Sequence, residues 1–202
     1  MARLALNKSS LKRQRDQLKT YRRFLPSLDL KRQQLMLELR DAQRERDALA
    51  SEALQAETGL RPLCELVGAY RVDLTGLFRV GRIRMAEENA VGVRLPVLQS
   101  IDFEVALYSM LAKPFWVDFL VDAGKRLVEL RLRSQVAEER ARLLAEAVRT
   151  VTQRVNLFEK VLIPTAEENI RKINIFLADA QRVSVVRSKI AKAKTVARAS
   201  KG

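Results

Sequence analysis

The sequence predicts a mainly α-helical protein: a long antiparallel two-helix coiled coil made from the N- and C-terminal segments, with a central insertion of short helices and a β-hairpin. Three observations predict it. Two long stretches carry apolar residues at alternating spacings of three and four, the seam of a coiled coil. Only 7 glycines and 5 prolines occur in 202 residues, so helices run long. Between about 78 and 98 the apolar period changes to two, the signature of strands.

The longest pattern runs from Phe115 to Pro164 without an internal proline. One heptad column is Leu120, Leu127, Ser134, Ala141, Val148, Val155 and Leu162; the other is Ala123, Leu130, Ala137, Leu144, Val151 and Phe158. Only Ser134 is polar. A single helix cannot bury such a seam, so a partner of similar length is required. Residues 4–58 supply it, with a column of Leu4, Leu11, Leu18, Leu25, Arg32, Leu39, Arg46 and Ala53 that runs on to Leu60. The companion column is Asn7, Gln14, Tyr21, Leu28, Leu35, Ala42, Leu49, Ala56 and Leu63. Arg32 and Arg46 place long stems on the seam with their charged heads reaching water. Pro26 predicts a kink, because its ring clashes with the carbonyl of Arg22.

Gly59 and Pro62 are expected to end the first long helix, and a shorter helix with a packed Cys64 follows over Leu63–Tyr70. Phe78, Val80, Ile83 and Met85 then alternate with a one-residue slip, which predicts a bulge at Gly81. Val91, Val93, Leu95 and Val97 form the second run. Glu87–Ala90 are read as the turn, and Pro96 as a mark of an outer edge. Residues 99–112 read as a short amphipathic helix. Pro114 starts the great helix, with Trp116 and Phe119 opening its apolar face. Pro164 marks a bend, beyond which Ile170, Ile173, Leu177 and Ala180 resume the stripe one place out of phase. The expected segments are 1–58 (first coiled-coil helix), 59–112 (insertion), 113–186 (second coiled-coil helix) and 187–202 (a frayed basic tail). The paired helices form a rod on the order of 90 Å, with the insertion at the turn end and both chain ends at the other.

Charge follows this layout. Of the net +14, residues 1–32 carry +8 and residues 180–202 carry +7, while residues 33–179 carry −1. With no histidine and one cysteine, the chain lacks the usual general base and the ligands of a structural zinc site. No phosphate-cradling glycine motif occurs, so no catalytic residue, metal or cofactor is expected. No long apolar run predicts a membrane span, and the start lacks a secretion signal. The basic ends by themselves suit a free-standing coiled-coil adaptor or a nucleic-acid-binding helical hairpin. Against single-strand binding, only Tyr21 and Phe24 lie near the N-terminal charges, and no aromatic follows Phe176.

Three stretches carry a family resemblance. They are Asn7-Lys8-Ser9-Ser10-Leu11 with Leu30–Leu35; Asn89-Ala90-Val91-Gly92-Val93-Arg94-Leu95-Pro96; and Arg154-Val155-Asn156-Leu157-Phe158-Glu159 ending at Ile163-Pro164. In order and spacing they resemble the D subunit, the central rotor shaft of V-type and archaeal-type rotary ATPases. The motif positions are Asn89, Val91, Gly92, Leu95, Pro96, Arg154, Asn156, Glu159 and Pro164. The resemblance implies a non-catalytic shaft on the cytoplasmic side of a membrane, peripheral and within the soluble sector of the complex. It implies coupling of ATP hydrolysis or synthesis to proton or sodium transport. The implied partners are the A and B subunits of the hexamer, the F subunit and the membrane-rotor adaptor (the C subunit, called d in eukaryotes), with no nucleic acid and no direct membrane insertion. Lys8, Lys12, Arg13, Arg182, Arg187 and Lys189 are the expected contacts with the hexamer cavity.

Overall fold

A computed structural model describes residues 4–70, 76–106, 114 and 116–199. Its elements are α1 (Lys8–Tyr70), β1 (Phe78–Ala90), β2 (Val93–Val105), α2 (Trp116–Leu157), a π-helical turn (Phe158–Leu162) and α3 (Ile163–Ala199). Contacts divide the chain into two compact units, Lys31–Thr150 and the pair of segments Met1–Leu30 with Val151–Gly202.

The heptad columns are the buried faces. Every position in the α2 columns, from Leu120 to Leu162, is buried or half-buried, and in the first-helix columns only Asn7 is exposed. Asn7 is a cap instead. Its Oδ1 accepts the Ser10 N–H at 2.7 Å and its carbonyl accepts the Leu11 N–H at 3.0 Å, satisfying donors that the first helical turn leaves open. The helix passes through Pro26, Gly59 and Pro62 to Tyr70. The expected end near residue 58 and the separate helix over Leu63–Tyr70 are therefore corrected: the seam residues Leu60 and Leu63 continue the stripe, and the burial of that face outweighs the local cost of glycine and proline. Cys64, expected to pack, is exposed.

Within the unit Lys31–Thr150, α1 and α2 lie antiparallel. Glu57 accepts a 2.8 Å hydrogen bond from Arg131, Ala56 and Leu60 line one cleft with Ala123 and Leu130, and Leu49 lines another with Val136 and Ala137. Leu35 and Leu144 are almost fully buried in this unit. The cluster at the start of α2 joins Leu77, Trp116, Val117 and Val121, so Trp116 is a core residue. Phe119, expected beside it, is 68% exposed.

β1 and β2 form a two-stranded antiparallel sheet, longer than the sequence suggests. Residues 99–105, expected as the start of a helix, are strand; Ile101, Phe103 and Val105 carry the period of two that pairs them with Ile83, Val80 and Phe78. The remainder of that expected helix, 107–112, lies outside the described residues. The register slips where Gly81 and Arg82 oppose Asp102, the bulge that the sequence predicts at Gly81. The turn is corrected from Glu87–Ala90 to Val91-Gly92, with φ of 52° and 82°. Two residues at positive φ are what a tight hairpin turn needs to match strand twist. The Asn89 Oδ1 accepts the Gly92 N–H at 2.8 Å and holds that turn closed.

The hairpin lies along the helix pair rather than only at its turn end. A Cβ on Gly124 would sit 2.9 Å from the Phe78 ring, and one on Gly92 would sit 3.3 Å from Lys31 Nζ. Thirteen strand residues at about 3.3 Å each reach roughly 43 Å, as far as roughly 29 helical residues at 1.5 Å. That matches the stretch of α1 from Leu60 back to Lys31. A lone two-stranded sheet is marginal in water; this one is held by Leu95, fully buried, a burial that contributes about 1.5–3 kcal/mol.

In the unit formed by Met1–Leu30 and Val151–Gly202, Tyr21 packs edge-on against Phe158 with centroids 5.5 Å apart. Arg22 donates to Glu167 at 2.6 Å, and Asn169 donates to Gln14 at 3.4 Å. The change in helical path expected at Pro164 occurs in the turn just before it. The Ile163 N–H donates to the Phe158 carbonyl, five residues back. Pro164 has no N–H to offer the Lys160 carbonyl, and its ring crowds that carbonyl, so a widened turn relieves both. The extra residue also explains the one-place shift of the stripe: Ala166 and Ile173 are buried, and Ile170 and Leu177 are half-buried. Ala180, expected on the stripe, is exposed.

Candidate partner-binding surfaces

Lys8, Lys12 and Arg13 are exposed on the first turns of α1; Arg182, Arg187 and Lys189 are exposed on α3. Of the six, only Arg182 has an ion pair among the described residues, to Asp179 at 3.4 Å. The two groups are not level. Counting from the Gln14–Asn169 contact, Lys8 faces about residue 175, so Arg182 lies roughly 10 Å and Lys189 roughly 20 Å further along α3. The segment from Arg187, expected as a frayed tail, is helical to Ala199; its alanines, lysines and arginines are strong helix formers. From Ala178 through Thr195 every side chain is exposed, including the apolar Val183, Val185, Val186 and Ile190. The positive end is thus one helix of mixed cationic and apolar surface beside the start of a second.

The motif positions fall into two groups. Asn89, Val91, Gly92, Leu95 and Pro96 build the hairpin turn and its seat. Val91 is a β-branched residue at positive φ, a costly conformation that a merely convenient turn would avoid. The Pro96 carbonyl accepts from Arg140 Nη1 at 3.3 Å, and Glu88 accepts from the same guanidinium at 3.4 Å. Arg140, a tethering residue for the hairpin, was invisible as such in the sequence; it reads there as one more charge on a helix. Arg154, Asn156 and Pro164 flank the π-turn and Glu159 lies within it, with Asn156 half-buried and the other three exposed. Two carboxylates on the helix surfaces are held below their ordinary range. Glu139 is lowered first by hydrogen bonding from Arg142, and Glu168 first by hydrogen bonding from Lys172.

No helix among the described residues is long and apolar enough to cross a membrane. No cluster of three or more histidine, cysteine, aspartate or glutamate side chains converges among them.

The family described as the D subunit of ATP synthase matches residues 10–193. The V-type ATP synthase D subunit of Borreliella burgdorferi is 34% identical over 196 residues, covering 97% of this chain and 96% of its own length. The protein of the same name from Chlamydia abortus is 37% identical over 195 residues, covering 94% and 92%; that of Chlamydia caviae is 36% identical over 197 residues, covering 95% and 93%. With the helix pair, the hairpin and near-complete coverage in agreement, this chain belongs to the ATP synthase D-subunit family.

Proposed function

We propose that this chain is the non-catalytic rotor component in the central stalk of a V/A-type ATPase or ATP synthase. It acts on the cytoplasmic side of a membrane and couples ATP hydrolysis or synthesis in the A/B hexamer to proton or sodium transport. The observation that carries this reading is the near-full-length match to D-subunit relatives in a chain whose apolar seam is buried through both long helices. Interlocked seam residues resist sliding and twisting of one helix against the other. Two different helices present an asymmetric surface, so each rotational position favours a different conformation among otherwise identical sites around it.

The cationic end formed by Lys8, Lys12, Arg13, Arg182, Arg187 and Lys189 is proposed to enter the hexamer and meet acidic groups there, with attraction at a distance aiding assembly. The F subunit is assigned to exposed positions within 40–58 and 125–150, and the membrane-rotor adaptor to the end where α2 begins. Reconstitution with A and B subunits tests the reading. Changing all six cations to glutamine is expected to weaken hexamer association at least tenfold and to uncouple ATP turnover from rotation. Unchanged affinity and coupling would remove the cationic end from the mechanism. Failure of the unaltered chain to associate with A, B and F, together with salt-sensitive binding to RNA or DNA, would overturn the rotor reading itself.

A further inference from the structure

The hairpin is asymmetric in what it offers a partner. On β2, Leu95 is fully buried, the Pro96 carbonyl is taken by Arg140, and Val97 and Leu98 line a cleft with Leu49 and Val136. Pro96 also lacks a donor, so β2 is a poor template for a further strand. β1 differs. Beyond Phe78 its side chains are mostly exposed, and no strand other than β2 pairs with it among the described residues. Val80, Ile83 and Met85 are 38%, 43% and 48% exposed; Arg79 precedes them, and Arg82 and Arg84 lie between them. Arg79 has the cross-strand Glu104 at 3.2 Å. The Arg82 and Arg84 side chains have no ion pair or hydrogen bond among the described residues, and the stretch 78–86 contains no acid.

An unpaired strand edge that alternates apolar and unneutralised basic residues accepts a strand of opposite charge. Backbone hydrogen bonds supply attachment, and the flanking side chains choose the partner. We propose that the outer edge of β1, centred on Arg82–Ala86, is a docking site for an extended acidic protein segment. That segment alternates Glu or Asp with small aliphatic residues and adds as a third antiparallel or parallel strand. The register slips at Gly81–Arg82 and again between Arg84 and Met85, where Gln99 is the extra residue on β2; the first, on β1 itself, sets one limit of the site. The site is independent of the rotor reading, since it uses neither the cationic end nor the long helices.

The test uses the full-length, isotope-labelled chain and a capped Val-Glu-Val-Glu-Val peptide as probe. Alternate amides within Arg82–Ala86 are expected to gain at least tenfold protection from exchange, and affinity to fall with added salt. The R82E/R84E variant, with both changes on exposed strand positions, should lose at least tenfold in affinity and prefer a Val-Lys-Val-Lys-Val peptide. A peptide with N-methylated backbone should not bind. The proposal is overturned if the acidic peptide does not bind, if R82E/R84E binds it equally, or if the N-methylated peptide binds as well as the original. It is also overturned if the same arginines bind a short oligouridine and the acidic peptide does not compete.

Discussion

Asn89 acts through one side-chain oxygen. Its 2.8 Å bond from the Gly92 N–H is the contact that lets a two-residue turn close over Val91, so Asn89→Ala is expected to cost about 1 kcal/mol. Amide exchange at Gly92, combined with a urea midpoint, reads this, and Asn89→Asp should recover most of the loss. Gly92 is at φ +82°, where any side chain is strained; Gly92→Ala should cost about 1–2 kcal/mol even though Lys31 Nζ, the nearby atom, can move aside. Ile173, fully buried in its unit, predicts a larger effect: Ile173→Ala should lower stability by about 2–5 kcal/mol, seen as a fall in melting temperature. The residue roles at the turn were legible as Asn and Gly in turn-forming positions. Their assignment to one residue pair was not, because Glu87–Ala90 has the composition of a turn yet pairs fully across the sheet.

At the scale of elements, the π-turn links a sequence irregularity to a backbone one. The stripe beyond Pro164 lies one place out of phase, and one residue of an α-helix turns the face by about 100°. Without the wider turn at Phe158–Leu162, Ala166 and Ile173 would leave the buried face. Deleting Val161, which is half-exposed within that turn, should therefore yield a continuous α-helix with one uninterrupted seam and a retained cooperative unfolding transition. Deleting the exposed Arg149 should instead rotate Val151 and Val155 out of the interface and abolish that transition. Thermal melts followed by circular dichroism compare the two. The hairpin teaches the complementary lesson. Ile101, Phe103 and Val105 carry a period of two, but a short run such as 99–105 also suits one helical face; pairing with β1 decided between them.

At the scale of the molecule, charge sets the response to pH. The chain contains no histidine, so its stability should change little between about pH 6 and 7.5. Glu139 and Glu168 have folded-state values lowered by Arg142 and Lys172. Their contribution is present above the unfolded carboxylate range and is lost as pH falls through the lowered folded values. Being open to solvent, both act as small local terms. Melting temperatures from neutral pH down to about pH 3 should decline only in the acidic limb, and Glu139→Gln with Glu168→Gln should change its slope only slightly.

By itself the sequence determined the two seams, the one-place shift, the position of the bulge, the charge at both ends and the motifs shared with the D-subunit family. Each of these is a spacing or a count along the chain, and backbone periodicity turns spacing directly into a face. Only the tertiary structure decided that α1 continues through Gly59 and Pro62, that the hairpin runs along α1 and α2 as far as Lys31, and that Arg140 tethers it. Those outcomes depend on burial between residues far apart in sequence. A helix 63 residues long can carry Pro26, Gly59, Pro62 and Gly68, and a strand takes its place from the surface it covers.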